Sequence, residues 1–414
     1  MNILIITQYF WPETFRINDL AESLVERGHC VTVLTGKPNY PTGDFYPGYG
    51  FLKKNRERYR SIDIIRAPLI PRGKNSKFRL ALNYLSFAFF ASIISILKCK
   101  KIDVVFVFEP SPITVGIPAI FYKKLKKTPI LFWVQDLWPE SVLAVEAIQS
   151  RIELKWLEKL VNYIYKNCDY ILTTSRAYFD PIKKFNVSEN KLRYFPQMVE
   201  ALYQPLRDIS HTVEAKLLKE KLLNEGFRVI FSGNIGIAQD IETILQSAVF
   251  LKEYKAIKWI FLGDGSKRIW LQAEIQRKKL TETVIWLGQY PVETMPRFFA
   301  CADALLVTLK KDPVFSLTIP GKIQSYLACA KPILAALDGE GRRIIEEAKA
   351  GFVANSGDAY MLAKNVLAIY HLHPDERIKM GDNGLKYFNQ HFQRDILLHN
   401  LESWMNELME KNKK

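Results

Sequence analysis

Three short turns carry the residues best suited to holding an anion: Gly233-Asn234-Ile235-Gly236, Gly263-Asp264-Gly265 and Pro320-Gly321-Lys322. Glycine lets backbone N–H groups approach a ligand closely, and a helix start adds partial positive charge, so each turn suits a phosphate. A glycine after a strand is also the ordinary residue of a turn. The recurrence of three such turns in one half of the chain is what points to a nucleoside diphosphate. Lys322 stands in the first turn of its helix, where its charge opposes the macrodipole unless an anion is bound. A solvated lysine is the alternative.

A second set is acidic. Glu109 lies in Glu109-Pro110-Ser111-Pro112, and Asp136 and Glu140 lie in Gln135-Asp136-Leu137-Trp138-Pro139-Glu140-Ser141. A carboxylate just beyond a strand accepts a proton or holds sugar hydroxyls, and Trp138 offers an apolar face to a pyranose ring. Helix capping competes as the reading of Asp136 and Ser141. The histidines, His29, His211, His371, His373, His391 and His399, form no ligand pair, and no G-x-S-x-G, H-E-x-x-H or Walker A sequence is present. Hydrolase, zinc-enzyme and P-loop chemistry are therefore disfavoured, and no metal is expected.

These turns need elements to place them. Asn2–Thr7 is a short apolar run suited to a buried parallel strand, Ile17–Arg27 has helical spacing, and Gly28 ends that helix before the β-branched run Val31–Thr35. The rhythm repeats with Asp103–Phe108, Ile130–Val134 and Tyr170–Thr174, each followed by a helical pattern. Beyond a linker and a charged helical stretch, Glu214–Glu225, a second series begins: Arg228–Ser232, Trp259–Leu262, Val284–Leu287, Ala304–Thr308 and Pro332–Ala335. Alternation of this kind predicts an α/β protein with two doubly wound domains, residues 1–200 and 201–393, facing across a cleft, with a C-terminal helix and basic tail over 394–414. Ligands are expected beyond the carboxyl ends of the strands.

The chain has 414 residues, 48% hydrophobic and 24% charged, a composition that excludes wholesale disorder and a small disulfide-stapled module. Its net charge is +15, and residues 51–100 alone hold twelve Lys and Arg against Glu57 and Asp63, a net of +10. A concentration of this kind marks a surface that meets an anion. It includes Arg56, Arg58, Arg60, Arg66, Lys74, Lys77 and Arg79. Next to it, Tyr84–Leu97 is uncharged; as a helix it would be roughly 21 Å long at about 1.5 Å per residue, too short for a hydrocarbon core of about 30 Å. Two readings stand: a helix buried on the first sheet, or one whose exposed edge and basic flanks rest on an anionic membrane surface. Nucleic acid fits poorly, because the basic run is broken by an apolar helix. Five widely spaced cysteines without a C-x-x-C pair argue for a reducing compartment, and no signal peptide is visible at the start, so a cytoplasmic location is expected.

The chain resembles the retaining glycosyltransferases of family 4, with the GT-B architecture. The resemblance rests on Tyr9-Phe10-Trp11-Pro12-Glu13, the segment Arg27 to Thr35, Asp136 to Ser141, Phe195-Pro196-Gln197, Ser232 to Gly236, and Pro320-Gly321-Lys322 with Tyr326-Leu327-Ala328. Within the family it is most similar to bacterial O-antigen and exopolysaccharide transferases of the N-acetyl-L-fucosamine and colanic-acid type. The resemblance implies a UDP-sugar held by the second domain, an acceptor on the first, and retention of configuration without a resident metal or other cofactor. The candidate diphosphate ligands are then Lys322, Gly321, Gly233, Asn234, Gly236, Gly263 and Gly265, and Gln289 and Tyr290 match the loop that lines the base. Asp136, Glu109 and Glu140 become the candidate catalytic acids, and the basic residues of 51–101, with Arg16, become an acceptor or membrane surface. The implied acceptor is a polyprenyl-diphosphate-linked glycan at the inner face of the cell membrane.

The chain departs from the family at four places. Leu317 and Ser325 stand where many members carry an E-x7-E pair, Gln135 stands where many have His, and Phe15 and Arg16 replace a double glycine. The carboxylate contacts of that pair do not carry over. These departures also motivate a second reading, a catalytically silent glycan-binding or nucleotide-binding partner in a glycosyltransferase complex. A UDP-sugar epimerase is a third reading, which leaves the basic and apolar surface without a purpose.

Overall fold

The computed structural model describes residues 1–74, 76–144, 150–206, 209, 211–221 and 226–413. They form two compact units: Met1–Met198 with Asp395–Lys414, and Val199–Arg394.

The first unit is built on eight strands: β1 (Asn2–Ile6), β2 (Cys30–Thr35), β3 (Arg56–Tyr59), β4 (Ile62–Arg66), β5 (Val104–Glu109), β6 (Ile130–Val134), β7 (Tyr170–Thr173) and β8 (Leu192–Tyr194). Their order is β3-β4-β2-β1-β5-β6-β7-β8. All pair in parallel except β3, which runs antiparallel to β4 at the edge. The central strands β5 and β6 are buried throughout, as continuous apolar runs covered on both faces must be. The helices used below are α1 (Arg16–Glu26), α2 (Lys77–Lys98), α3 (Gly116–Lys126), α4 (Glu140–Ala144) and α5 (Arg151–Asn167). The strand order turns back on itself between β1 and β5, which places the loops after those strands at a topological switch point.

The last helix, Arg394–Lys413, belongs with the first unit: Leu397, Leu398, Leu401, Met405 and Leu408 share a core with Ile3, Ile17, Leu20, Leu24 and Trp133. Arg27 donates from Nε and Nη2 to the Glu402 carboxylate at 2.9 and 3.0 Å, and His29 Nε2 lies 2.8 Å from the same group.

The second unit carries β9 (Phe227–Ser232), β10 (Ile257–Leu262), β11 (Val284–Gly288), β12 (Ala304–Thr308), β13 (Ile333–Ala336) and β14 (Gly351–Ala354). They are all parallel, in the order β11-β10-β9-β12-β13-β14, so the switch point lies beside β9. A glycine-bearing turn follows each of β9 and β10.

Four strands, β3, β4, β8 and β14, lie outside the runs expected from sequence. β3 is Arg-Glu-Arg-Tyr, a polar edge strand that reads as charge and has no apolar alternation. The helix expected over Glu214–Glu225 is described as Val213–Lys221, and residues 222–225 lie outside the described residues. The length of α2 is also corrected. It spans 22 residues and is long and apolar enough by length and composition to cross a membrane. One face is nevertheless committed to the first unit: Asn83, Phe87, Ala88, Ala91 and Ser95 are buried, and the Asn83 amide accepts from Gln8 Nε2 and donates to the Ile70 carbonyl, each at 2.6 Å. This packing, more than length, keeps α2 along the sheet.

Candidate functional site

In the second unit the turns after β9 and β10 are laced together by backbone hydrogen bonds. Gly233 N donates to Leu262 O, Ile235 N to Asp264 O, and Gly263 N to Gly288 O, at 2.8 to 2.9 Å. Gly233 and Gly263 have φ of 129° and 131°, a region that disfavours side chains. A Cβ on Gly263 would stand 2.0 Å from the Gly233 carbonyl oxygen, so the close approach of the two turns requires glycine there.

Beyond these turns opens a cavity of about 550 Å³, lined by Gly233, Asn234 and Gly263 on one side and by Gln289 and Tyr290 on the other. It is within the size range of small-ligand pockets. Tyr203, Asp264, Val292 and Met295 also line it and were not among the sequence candidates. The Asp264 carboxylate accepts from Gly265 N at 2.7 Å and from Arg268 Nη1 at 3.2 Å, which offsets its charge beside the turn.

Lys322 opens the helix Gly321–Ala328, whose N-cap is Pro320, a residue with no side chain to satisfy the first N–H groups. Its Nζ is buried without a hydrogen-bond partner and lies 3.9 Å from the Phe231 ring centroid. Desolvation lowers its pKa to about 7. An ammonium buried without compensation is costly, and an anion at the adjacent turn removes that cost. Lys322 thus lies against the Gly233 turn and is not itself part of the cavity wall.

Two other glycines turn out differently from the phosphate role expected of them. Gly236 borders a separate hollow of about 140 Å³ with Lys267 and Lys310. Gly265 packs against the neighbouring turn: a Cβ there would meet Asn234 Oδ1 and the Ile235 carbonyl at 2.4 Å. Gly321 is likewise absent from the cavity wall and contributes as a helix start. Ser325 is buried and its hydroxyl donates to Gly321 O at 3.4 Å, so this position supplies no carboxylate.

In the first unit the loops after β5 and β6 bring Glu109 and Asp136 together. Burial raises the Asp136 pKa to about 6, against the opposing effect of a hydrogen bond with Ser111. Glu109 is fully buried, and burial with the nearby Asp136 charge pushes it well above the carboxylate range, against the opposing effect of the Gln135 and Asp136 backbone N–H groups. It is fully enclosed, so as it stands the Glu109 side chain has no exposed surface to offer a substrate, unlike the half-buried Asp136. Glu140 is corrected too. It heads α4 and lines a separate hollow of about 590 Å³ with Lys155, Lys159 and Lys184, rather than converging on Asp136. Trp138 is half-buried and its indole N–H donates to Ser111 Oγ at 3.2 Å. Gln135 accepts a hydrogen bond from Gln197, and its carbonyl accepts from the Tyr178 hydroxyl at 3.4 Å.

Around Asp136 stand groups that received no role from sequence. The Tyr84 hydroxyl, pushed up by burial, is hydrogen-bonded to Tyr9 and feels Arg72, Asp136 and Glu109. Tyr9, Phe15 and Tyr40 form a ring cluster with centroids 5.2 to 5.7 Å apart, and the Arg72 guanidinium lies 5.1 Å from the Tyr40 ring centroid. Glu13 accepts from the backbone N–H groups of Asn39 and Tyr40 at 2.9 and 2.7 Å, and burial raises its pKa to about 7. The signal was present in Tyr9-Phe10-Trp11-Pro12-Glu13, which counted only as a motif.

The basic segment divides. Arg66 is buried, bound to Glu57 and to the carbonyls of Gly36 and Trp11, and adds nothing to a surface. Arg16 donates to Met198 O at 3.2 Å. Arg56 and Arg60 are exposed but pair with Asp63 and Glu22, at 3.4 and 2.5 Å, and Arg58 is exposed. Lys74, Lys77 and Arg79 are exposed at the start of α2. Along α2 runs an exposed apolar stripe, Phe78, Leu85, Phe89, Ile93 and Leu97, four of them at least 58% exposed. Solvent-facing apolar residues of this density mark an interaction surface.

Two family models match the chain: "Glycosyltransferase Family 4" over residues 15–201 and "Glycosyl transferases group 1" over 226–371. "Probable glycosyltransferase WbjE" of Pseudomonas aeruginosa is 24% identical over 350 residues, 82% of this chain and 83% of the relative. "Putative colanic acid biosynthesis glycosyl transferase WcaI" of Escherichia coli K12 is 23% identical over 345 residues, 79% and 81% of the two chains. Among solved structures, Anabaena HepE in complex with UDP and glucose matches with a TM-score of 0.69 at 15% identity, covering 98% of this chain and 99% of that one, a likeness of fold.

Proposed function

This chain belongs to the family 4 glycosyltransferases, an enzyme family of GT-B fold serving polysaccharide or glycolipid synthesis, and on that premise we propose that it moves a sugar from UDP to a lipid-linked glycan with retention of configuration. The observation that carries the reading is the cavity bounded by Gly233 and Gly263, with the partnerless Lys322 ammonium beneath it. A nucleoside diphosphate fits both: its phosphates approach closely at the side-chain-free glycine turns, above a buried cation, and its base meets Gln289 and Tyr290. The UDP complex of HepE supports the choice of nucleotide.

In the reaction the bond between the anomeric carbon and the diphosphate oxygen breaks. The acceptor oxygen bonds to that carbon on the same face, and its proton leaves with the diphosphate. Lys322 and the open start of its helix stabilise the charge that develops on the leaving group, so the reading calls for no metal. In the first unit Asp136 orients the acceptor hydroxyl by accepting its hydrogen bond. Trp138 and Tyr84, both half-buried, offer surfaces to sugar rings, and Arg72 offers a cation to a pyrophosphate.

The acceptor in this reading is a polyprenyl-diphosphate-linked oligosaccharide of O-antigen, capsule or exopolysaccharide assembly. The protein lies peripherally on the inner face of the membrane, and the sugar is N-acetyl-L-fucosamine or another N-acetylated or deoxy sugar. Support for the lipid comes from the α2 stripe and the cations at its start; support for the pathway comes from the colanic-acid relative. A panel of UDP-sugars offered with a synthetic polyprenyl-diphosphate-sugar tests it. Acceptor-dependent UDP release with a retained linkage is expected, and turnover with GDP- or dTDP-sugars alone would overturn the nucleotide assignment.

A further inference from the structure

Beside the edge strand of the first unit lies a second hollow, of about 260 Å³, closed on its inner side by Ile65, Pro68 and Ile94 and bordered at its mouth by Arg56 and Lys98. Arg56 is opposite Ile65 in the β3–β4 register, and Ile94 and Lys98 come from the last turns of α2. Tyr84, which feels Asp136, is ten residues earlier on the same helix, about 15 Å along its axis, so this hollow is distinct from the Asp136 loop. It is smaller than the roughly 300–1,000 Å³ of pockets for drug-sized ligands, which leaves room for one hydrocarbon chain and excludes a nucleotide sugar.

We propose that this hollow takes one acyl chain of an anionic membrane phospholipid, with the lipid phosphate held by Arg56 and Lys98. Ile93 and Leu97, exposed neighbours of Ile94 and Lys98 on α2, continue the apolar surface outward from the hollow. Both mouth cations are exposed, and Arg56 meets only the exposed Asp63 carboxylate, at 3.4 Å, a weak pair that a phosphate can displace. Arg66, although it borders the hollow, spends its guanidinium on Glu57 and on two backbone carbonyls and holds the floor in place. The inference rests on the reading that α2 faces a membrane, and adds to it a stoichiometric lipid site away from the acceptor loop.

Calorimetric titration of the full-length protein with decyl phosphate, kept below its aggregation concentration, tests this. One molecule is expected to bind, at least tenfold more weakly to Ile94→Trp, which fills the hollow, and to the double variant R56E/K98E, whose exposed side chains leave folding intact. UDP affinity should not change in either. Binding to either variant as tight as to the wild type, equal binding of decyltrimethylammonium, or full displacement by inorganic phosphate would each overturn the proposal. So would a lipid-free dimer that Ile94→Trp dissolves, since a second copy would then fill the hollow. Sedimentation with phosphatidylglycerol vesicles separates the two readings: if the wild type sediments but does not bind decyl phosphate, this hollow fails alone, whereas absence of sedimentation removes the membrane reading itself.

Discussion

The Nζ of Lys322 lies 3.3 Å from the point where a Cβ on Gly233 would stand, close enough for the one to charge the turn that the other opens. Neither residue explains itself alone. The ammonium is buried over the Phe231 ring with no hydrogen-bond partner among the described residues, and the glycine holds a φ of 129°. Together they make a turn open to close approach and backed by a cation.

Replacing Lys322 with Met should therefore have opposite effects on the two states. The unliganded protein should gain thermal stability, because a desolvated charge is removed. UDP affinity should fall by about tenfold to a hundredfold, the loss of a charge-assisted contact worth about 1.5–3 kcal/mol. Differential scanning fluorimetry with and without UDP checks both signs.

The same lysine predicts a proton linkage. With its pKa lowered to about 7, much of it is neutral at pH 8, and a bound diphosphate favours the charged form. UDP binding at pH 8 should take up a proton, seen as a binding heat that varies with buffer ionisation enthalpy. That dependence should be smaller at pH 6 and absent in Lys322→Met.

Gly263→Ala places a methyl group 2.0 Å from the Gly233 carbonyl oxygen, at a φ that alanine rarely adopts. The two turns must separate, with a stability cost of about 2 kcal/mol or more and weaker UDP binding. A normal melting temperature with unchanged UDP affinity would contradict the packing described.

Asp136 titrates at about 6 when folded, above the ordinary value of 3.8. Transfer that needs its carboxylate should fall as the pH drops through about 6. On stability the sign is the reverse of an ion-paired acid: the unfolded chain ionises first, so stability declines between about pH 4 and 6 and then levels off. Asp136→Asn should be more stable at pH 7 by about 1–3 kcal/mol and much less active. A variant with full transfer activity would remove Asp136 from the site.

The Arg27–Glu402 pair and His29 hold the last helix to the first unit. Glu402→Ala should lower the melting temperature, by about 1–3 kcal/mol in stability, because a half-buried bidentate pair loses one partner. The Glu402 pKa is lowered by these partners, so its contribution is present above the unfolded carboxylate pKa and lost as pH falls through the folded one. UDP affinity, a property of the second unit, should be unchanged.

The α2 stripe is tested with Phe78→Ser and Phe89→Ser together. Sedimentation with anionic vesicles should drop severalfold while UDP binding stays, since both side chains face solvent at 73% and 62% exposure. The triple reversal of Arg56, Arg58 and Arg60 to Glu is a weaker probe, because Arg56 and Arg60 already meet carboxylates.

Element type was legible in most of the chain because local patterns decide it, whereas strand order and the polar edge strand β3 were not. Runs such as Ile130–Val134 are apolar throughout, and buried parallel strands need that; glycines marked the turns after β9 and β10. The sequence by itself determined two α/β units, a glycine-rich second unit and a charge excess in residues 51–100. Tertiary structure decided which like residues do unlike things. Glu109, Asp136 and Glu140 are three acids in similar loops, yet one is enclosed, one half-open with a raised pKa, and one turned to another hollow. Arg66 counts as charge in the sequence and is core in the fold, while Tyr84 comes to Asp136 from a distant segment. The physical reason is that desolvation and partner geometry depend on neighbours brought in from elsewhere along the chain, and periodicity reports only which face a residue occupies.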